Sequence, residues 1–240
     1  MPDLGPILEL LGRLFPFDGM DARFMQRALL ALALLGPAAG TLGVHVINLR
    51  MAFFSDAISH SAFAGVAIGL LASMNPRWTM PAFGALVAVG IVALQLRSRL
   101  SSDAAIGVTF SAVVAFGLAV ISRQEGLARD VQTFVFGDIL TIGEADIWIL
   151  AALVAAIAVY QAIAYNRLTL MALSPTVAKV RGARVDLLQY LFAVLTALVV
   201  TYSVLAVGVF LVTALLIVPA AAARNLARTA GGMIWYAAAI

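Results

Sequence analysis

Asp56 and His60 stand four residues apart in the stretch RMAFFSDAISHSAFAGVAIGLLAS, which is otherwise nearly free of charge. On a helix that spacing puts both side chains on one face, one turn apart. A carboxylate beside an imidazole is a ligand pair for a first-row divalent metal. Such groups are not placed at membrane depth without reason, because an ionisable side chain near the bilayer centre costs at least ~2.5–3.5 kcal/mol. One helix supplies two donors, and two copies facing each other across a two-fold axis would supply four. Four donors suit zinc and make a partial shell for manganese or iron. A second reading stays open, in which the pair is hydrogen-bonded to itself near a span's cytoplasmic end or reaches the interface. The same helix carries Ala57, Ser61, Gly65 and Gly69 at four-residue spacing. Such a ladder lets helix backbones approach closely, and it lies next to the Asp56/His60 face.

Other polar groups read differently. His45, in GVHVINLR, has no acid at helical spacing and is expected to be a packed or interfacial histidine. Gly137 and Asp138 interrupt an apolar run in FVFGDILTIGEADIW. Asp138 reads first as a cap on a turn at the membrane surface, and second as an acid on the path by which a cation would enter. Ser102 and Asp103 look like N-terminal caps of the span that follows them.

The longest polar-containing stretch is NRLTLMALSPTVAKVRGARVDLLQ. Ser174 is a good N-cap and Pro175 suits a first helical position. Gly182 is a natural stop. A short helix from Pro175 to Arg181 is expected between them, with an apolar side (Val177, Val180) and a basic side (Lys179, Arg181). Ala178 lies within it. A compact capped helix of this kind would dock into a groove on a partner protein; the alternative is a helix resting on anionic lipid headgroups. Beyond it, VGVFLVTALLIVPAAAARNLAR ends in small residues around Pro219, which a membrane helix tolerates where neighbours re-satisfy the backbone.

The elements that must position these groups follow from composition. The chain has 240 residues, of which 63% are hydrophobic and 11% charged, and its mean hydropathy is +1.05. A soluble domain carries about 25% charged residues, so the fold class is all-α, a polytopic helical membrane protein of about seven to eight spans. The approximate spans are 24–48, 51–73, 78–96, 103–122, 145–165, 187–206 and 208–223, with an eighth starting near Gly231. That last one stops at Ile240 and reads as a helix cut off within the membrane, as a truncated chain would show. Residues 1–240 are read as one transmembrane domain. Its segment 1–22 lies at the membrane surface, since acids and prolines interrupt it and exclude a cleavable signal, and 166–186 form a cytoplasmic loop. With that loop inside, nine Lys and Arg residues fall inside and six outside, which puts the N-terminus outside.

Several functions are excluded. The net charge of +3 is scattered and forms no basic stripe, so nucleic acid is not a partner. There are no cysteines and only two histidines, which removes thiolate metal sites, cysteine nucleophiles and HExxH. No GxxxxGK[ST] occurs and Lys179 is the one lysine, so the chain does not itself hydrolyse ATP.

Three stretches together resemble the permease subunits of bacterial ABC importers for zinc, manganese and iron(II): 49–69 (LRMAFFSDAISHSAFAGVAIG), 136–140 (FGDIL) and 173–229, the last running from LSPTVAKVRGAR to VGVFLVTALLIVPAAAARNLART. Asp-x-x-x-His followed by small residues, and the Leu-Leu-Ile-Val-Pro-Ala run, carry most of the likeness. The resemblance implies a homodimer in the bacterial inner membrane, with about eight spans per protomer. An ATP-binding cassette ATPase would bind each cytoplasmic face and an extracytoplasmic metal-binding protein would deliver the ion. It also implies that Asp56 and His60 are the metal-gating pair, and that the coupling helix falls on Ser174 to Gly182, including Pro175, Ala178, Lys179 and Arg181. The missing final span departs from the family pattern. The metal would be the transported ion, with no permanently bound cofactor.

Two rivals are weaker on the residues. An ion-gradient-driven secondary transporter would want more membrane-embedded ionisable groups or broken helices in matched halves. An ABC permease for metal chelates would have a wider pore and no need of the Asp–His pair.

Overall fold

The computed structural model describes residues 5–14, 22–98, 100–122, 137, 139 and 142–240. They form ten α-helices: α1 (Gly5–Leu14), α2 (Arg23–Asn48), α3 (Phe54–Leu71), α4 (Pro76–Arg97), α5 (Ser102–Ile121), α6 (Glu144–Leu173), α7 (Pro175–Val180), α8 (Val185–Val207), α9 (Val209–Leu226) and α10 (Ala230–Ala239). No strand occurs among the described residues. Six helices, α2 to α6 and α8, are long and apolar enough to cross a membrane. The seventh expected span, α9, contributes a shorter apolar stretch, Leu211–Leu226. The ten residues of α10 rise about 15 Å, half a hydrocarbon core.

Local chemistry sets the boundaries. Asn75 caps α4 by accepting the Arg77 N–H at 3.0 Å, with Pro76 in the first turn. Ser101 caps α5 through the Ala104 N–H at 3.3 Å, one residue before the expected caps Ser102 and Asp103. At the start of α6 the Asp146 carboxylate accepts the Gly143 N–H at 2.9 Å, and Glu144 and Asp146 put negative charge on the positive end of the helix. α2 closes with Arg50 N–H on the Ile47 carbonyl (3.1 Å) and Met51 N–H on the Val46 carbonyl (2.9 Å). That is the paired reverse turn usually built on glycine, yet Arg50 occupies the left-handed position with φ 57°. Met51 and Phe54, both buried and both just after Arg50, anchor the chain leaving the turn and so fix where α3 begins. α8 breaks into α9 at Gly208 (φ 79°), where a side chain would be strained.

The stretch 166–186, expected to be a loop, is helical as far as Leu173. Leu168 and Met171 are buried there, and their burial outweighs the polar look of NRLT. α3 and α8 form the centre. α3 packs against α4, α5, α8 and α9, while α8 touches α2, α3, α4, α6, α7 and α9. α5 rests mainly on α3 and α4, and only 17% of its most apolar window is buried within the chain, against 67% for α3. Its remaining apolar surface is left for lipid or another protein.

The small-residue ladder on α3 is used inside the chain. A Cβ at Gly65 would sit 2.8 Å from Met80 Cα, and one at Gly69 would run into the Thr79 side chain, both on α4. α2 makes a second close approach, with Gly40 and Gly43 facing the backbone carbonyls of Ala237 and Leu216. These contacts hold α3 rigidly on α4, with its Asp56/His60 side turned elsewhere.

Candidate metal site

Asp56 is the third residue of α3 and His60 follows one turn on. His60 Nε2 lies 3.8 Å from Asp56 Oδ1. That is beyond hydrogen-bond reach yet within ion-pair range, so the two groups lie close without sharing a hydrogen bond. An ion about 2.1 Å from both atoms would subtend roughly 130° between them, and closing the gap by about 0.4 Å would give a tetrahedral angle. The side chains are 25% exposed for His60 and 43% for Asp56, so both reach the surface of this one chain. The His60 ring is held by Phe63 and, from α5, Phe110, at centroid distances of 5.6 and 5.3 Å. An apolar cavity of about 210 Å³, lined by His60, Phe63, Phe110 and Val113 among others, opens beside it. Neither ring nitrogen has a hydrogen bond among the described residues, which leaves the imidazole free to ligate.

Asp56 has a further partner that the motif does not announce. Thr213 on α9 donates its hydroxyl to Asp56 Oδ1 at 3.4 Å. The signal in the sequence is a single hydroxyl in the otherwise apolar run from Val209 to Val218, which says nothing about where it points. No group of three or more His, Asp or Glu side chains with metal-holding geometry occurs among the described residues, so Asp56 and His60 offer two potential donors here.

The family model described as the ABC 3 transport family matches residues 21–240. The chain belongs to the ABC 3 transport family. Its relatives include the manganese transport system membrane protein MntC of Listeria innocua, 33% identical over 91% of this chain and 78% of that protein. The high-affinity zinc uptake system membrane protein ZnuB of Haemophilus influenzae is 31% identical over 88% and 80%. Among solved structures, PsaBC from Streptococcus pneumoniae in complex with Fab aligns with a TM-score of 0.75 and 31% identity, over 97% of this chain and 82% of the other. This ABC 3 chain is therefore a multi-pass membrane permease of a metal-transport family. A transporter described as of metal-chelate type, in an inward-facing conformation, shares the fold alone at 14% identity and a TM-score of 0.68.

The other predicted residues of this ABC 3 permease fall as follows. Ser174 caps α7 by accepting the Val177 N–H at 3.4 Å, and Pro175 opens the helix. Gly182 closes it with φ 76°, and the Ala183 N–H reaches back to the Ala178 carbonyl at 3.0 Å. The helix ends at Val180, so Arg181 is its cap and not its last residue. Ala178 is fully buried, whereas Val177 and Val180 are exposed, which makes a knob with an apolar tip. Lys179 pairs with Asp186 at 3.6 Å, both exposed. α7 borders a groove of about 430 Å³, of mixed polarity, that also includes Arg50, Gln95 and Gln189, so the α2–α3 turn and the knob share one end of the bundle. The opposite end carries the ion pairs Arg27–Glu144 and, at 3.1 Å, Arg77–Asp146. This grouping is the one expected from the distribution of basic residues. Asp138 lies outside the described residues; its neighbour Gly137 packs against the backbone of Gly208. His45 is buried among Tyr165 and Phe192, as its surroundings predicted, with Nε2 2.7 Å from Gln161 Oε1.

Proposed function

We propose that this chain is the membrane-spanning subunit of an ATP-driven importer of a bare divalent metal ion, zinc, manganese or iron(II), in a bacterial inner membrane. Two copies assemble so that Asp56 and His60 of each face one another, and the ion crosses between them. The observation that carries this reading is the geometry of the pair: two donors on one helical face, 3.8 Å apart, sharing no hydrogen bond and open at the chain's surface. A second copy related by a two-fold axis raises the donors to four, which suits zinc and makes a partial shell for manganese or iron(II). A chelate would bring its own ligands and would leave the His60 imidazole without purpose. Apolar walls from Phe63, Phe110 and Val113 line the cavity beside His60, and a second copy closed over the pair would keep water from the ion, which strengthens each metal–donor contact. Ligation needs the neutral imidazole.

Energy comes from a separate ATPase subunit that receives the α7 knob through exposed Val177 and Val180. The far face, held by the Arg27–Glu144 and Arg77–Asp146 pairs, receives the metal from an extracytoplasmic binding protein. The test is uptake of radioactive zinc and manganese by proteoliposomes holding the permease with its ATPase and binding protein. Asp56→Ala and His60→Ala are each expected to cut ATP-dependent uptake about a hundredfold or more while the complex still assembles. Wild-type uptake in either variant would remove the site from the mechanism.

A further inference from the structure

Threonine hydroxyls within these spans usually turn back onto their own helix. Thr41 donates to the Ala38 carbonyl, Thr109 to Ala105, Thr196 to Phe192, and Thr201 to Ala197, at 2.8 to 3.0 Å. That is the default in a bilayer, where the nearest carbonyl one turn back is the only acceptor on offer. Thr213 has the same option, with the carbonyls of Val209 and Phe210 one turn behind it. It instead donates across a helix interface to Asp56 Oδ1 at 3.4 Å. The oxygen it holds is the one that faces His60 Nε2.

We infer that Thr213 is a positioning residue for the ion site, fixing the Asp56 carboxylate so that Oδ1 stays turned toward His60. The inference rests on the proposed role of Asp56 and His60. A carboxylate oxygen has two lone-pair sites, so one can accept the hydroxyl while the other meets the ion. Asp56 is nearly half exposed and Thr213 is its one hydrogen-bonded side-chain partner among the described residues, so without the hydroxyl its carboxylate would rotate freely. The ordering would then have to be made at the expense of ion binding. The contact also ties the site to α9, whose starting direction is set by the left-handed Gly208. α9 packs against α3 and α8, so Thr213 links the two-donor face of α3 to the helix that begins at that break.

Losing an outer hydrogen-bond partner of a metal ligand commonly costs 10–100-fold in affinity, and the length of this bond sets the expectation at about tenfold. The experiment uses the permease assembled with its ATPase, with manganese and zinc salts as probes, to read the dissociation constant by equilibrium dialysis, and the same complex in proteoliposomes with its binding protein to read KM and maximal rate of uptake. Thr213→Val removes the hydroxyl at nearly constant shape and is expected to raise Kd and KM about tenfold, with maximal rate within about twofold. Thr213→Ser keeps the donor and is expected to stay within about threefold of wild type. Should the valine variant fail to assemble, Thr213→Ala deletes the same hydroxyl and carries the same expectation. Unchanged Kd without the hydroxyl, or a serine variant as impaired as the valine one, overturns the inference. Asp56→Ala separates the two claims. If it abolishes binding while Thr213→Val binds normally, the ion site stands and the positioning role falls; if Asp56→Ala itself binds normally, both fall.

Discussion

The two histidines of this permease sit in opposite surroundings. His45 is buried and closed: Nε2–H donates to Gln161 Oε1 at 2.7 Å, and the Gln161 amide in turn donates to the Thr41 carbonyl at 3.3 Å. Its Nδ1 is sealed from any partner. His60 is open: its neighbour in charge, Asp56, lies 3.8 Å away, and the ring reaches the surface beside an apolar cavity. An amide partner on Nε2 and burial of the rest of the ring make His45 a clamp between α2 and α6. A carboxylate 3.8 Å away leaves His60 without a hydrogen bond, the condition that the proposed ion site requires.

The sharpest break would come from exchanging the consequences. His60→Ala is expected to reduce metal binding to the purified complex by about a hundredfold or more, while unfolding shifts little because the side chain is partly exposed. His45→Ala is expected to do the reverse. It leaves a cavity and an unpaired Gln161, costing about 2–4 kcal/mol, with metal affinity within about threefold of wild type. Equilibrium dialysis and denaturant unfolding on the same preparations measure both. A His45 variant that loses the metal while staying folded would abolish the distinction.

Acidity probes the same contrast with a smaller effect. A metal-ligating imidazole must be neutral, so binding should weaken as pH falls through the histidine range, by about tenfold per unit for each ligating ring. Affinity for manganese measured from pH 7.5 downward should stay level while the ligating rings are neutral and fall, approaching that slope, only once they protonate, in the wild type and in His45→Leu alike. A slope that vanishes when His45 is replaced would place the titrating group on the wrong helix.

These differences were unequally legible in the sequence. The i, i+4 spacing of Asp56 and His60 placed both on one face, and the lack of an acid near His45 marked it as packed. The cap, proline and glycine around α7 fixed the knob to within one residue, because capping is local chemistry. Thr213 and Gln161 could not be read, since each acts across a helix interface more than a hundred residues away in the chain. The extension of α6 through Leu168 and Met171 was hidden for a related reason. Those residues become core only once other helices supply the wall, and composition had marked the stretch as a loop. The ladder of Gly65 and Gly69 was legible as a close approach, but only the packing shows that it faces α4 of the same chain.

The smallest expected effect is the most discriminating about His45. Gln161→Leu alone strands the Nε2–H donor in an apolar interior and should cost about 1–3 kcal/mol. Replacing both partners, His45→Leu with Gln161→Leu, removes donor and acceptor together, and such exchanges are commonly close to neutral. The double variant should therefore unfold within about 1 kcal/mol of wild type and transport metal normally. The parallel double variant at the open site, Asp56→Leu with His60→Leu, should be equally stable and unable to transport. Near-wild-type stability in both double variants with transport surviving only in the first would mean that the His45–Gln161 clamp is replaceable packing, whereas the Asp56–His60 pair is kept at a cost in membrane burial that only its ion explains.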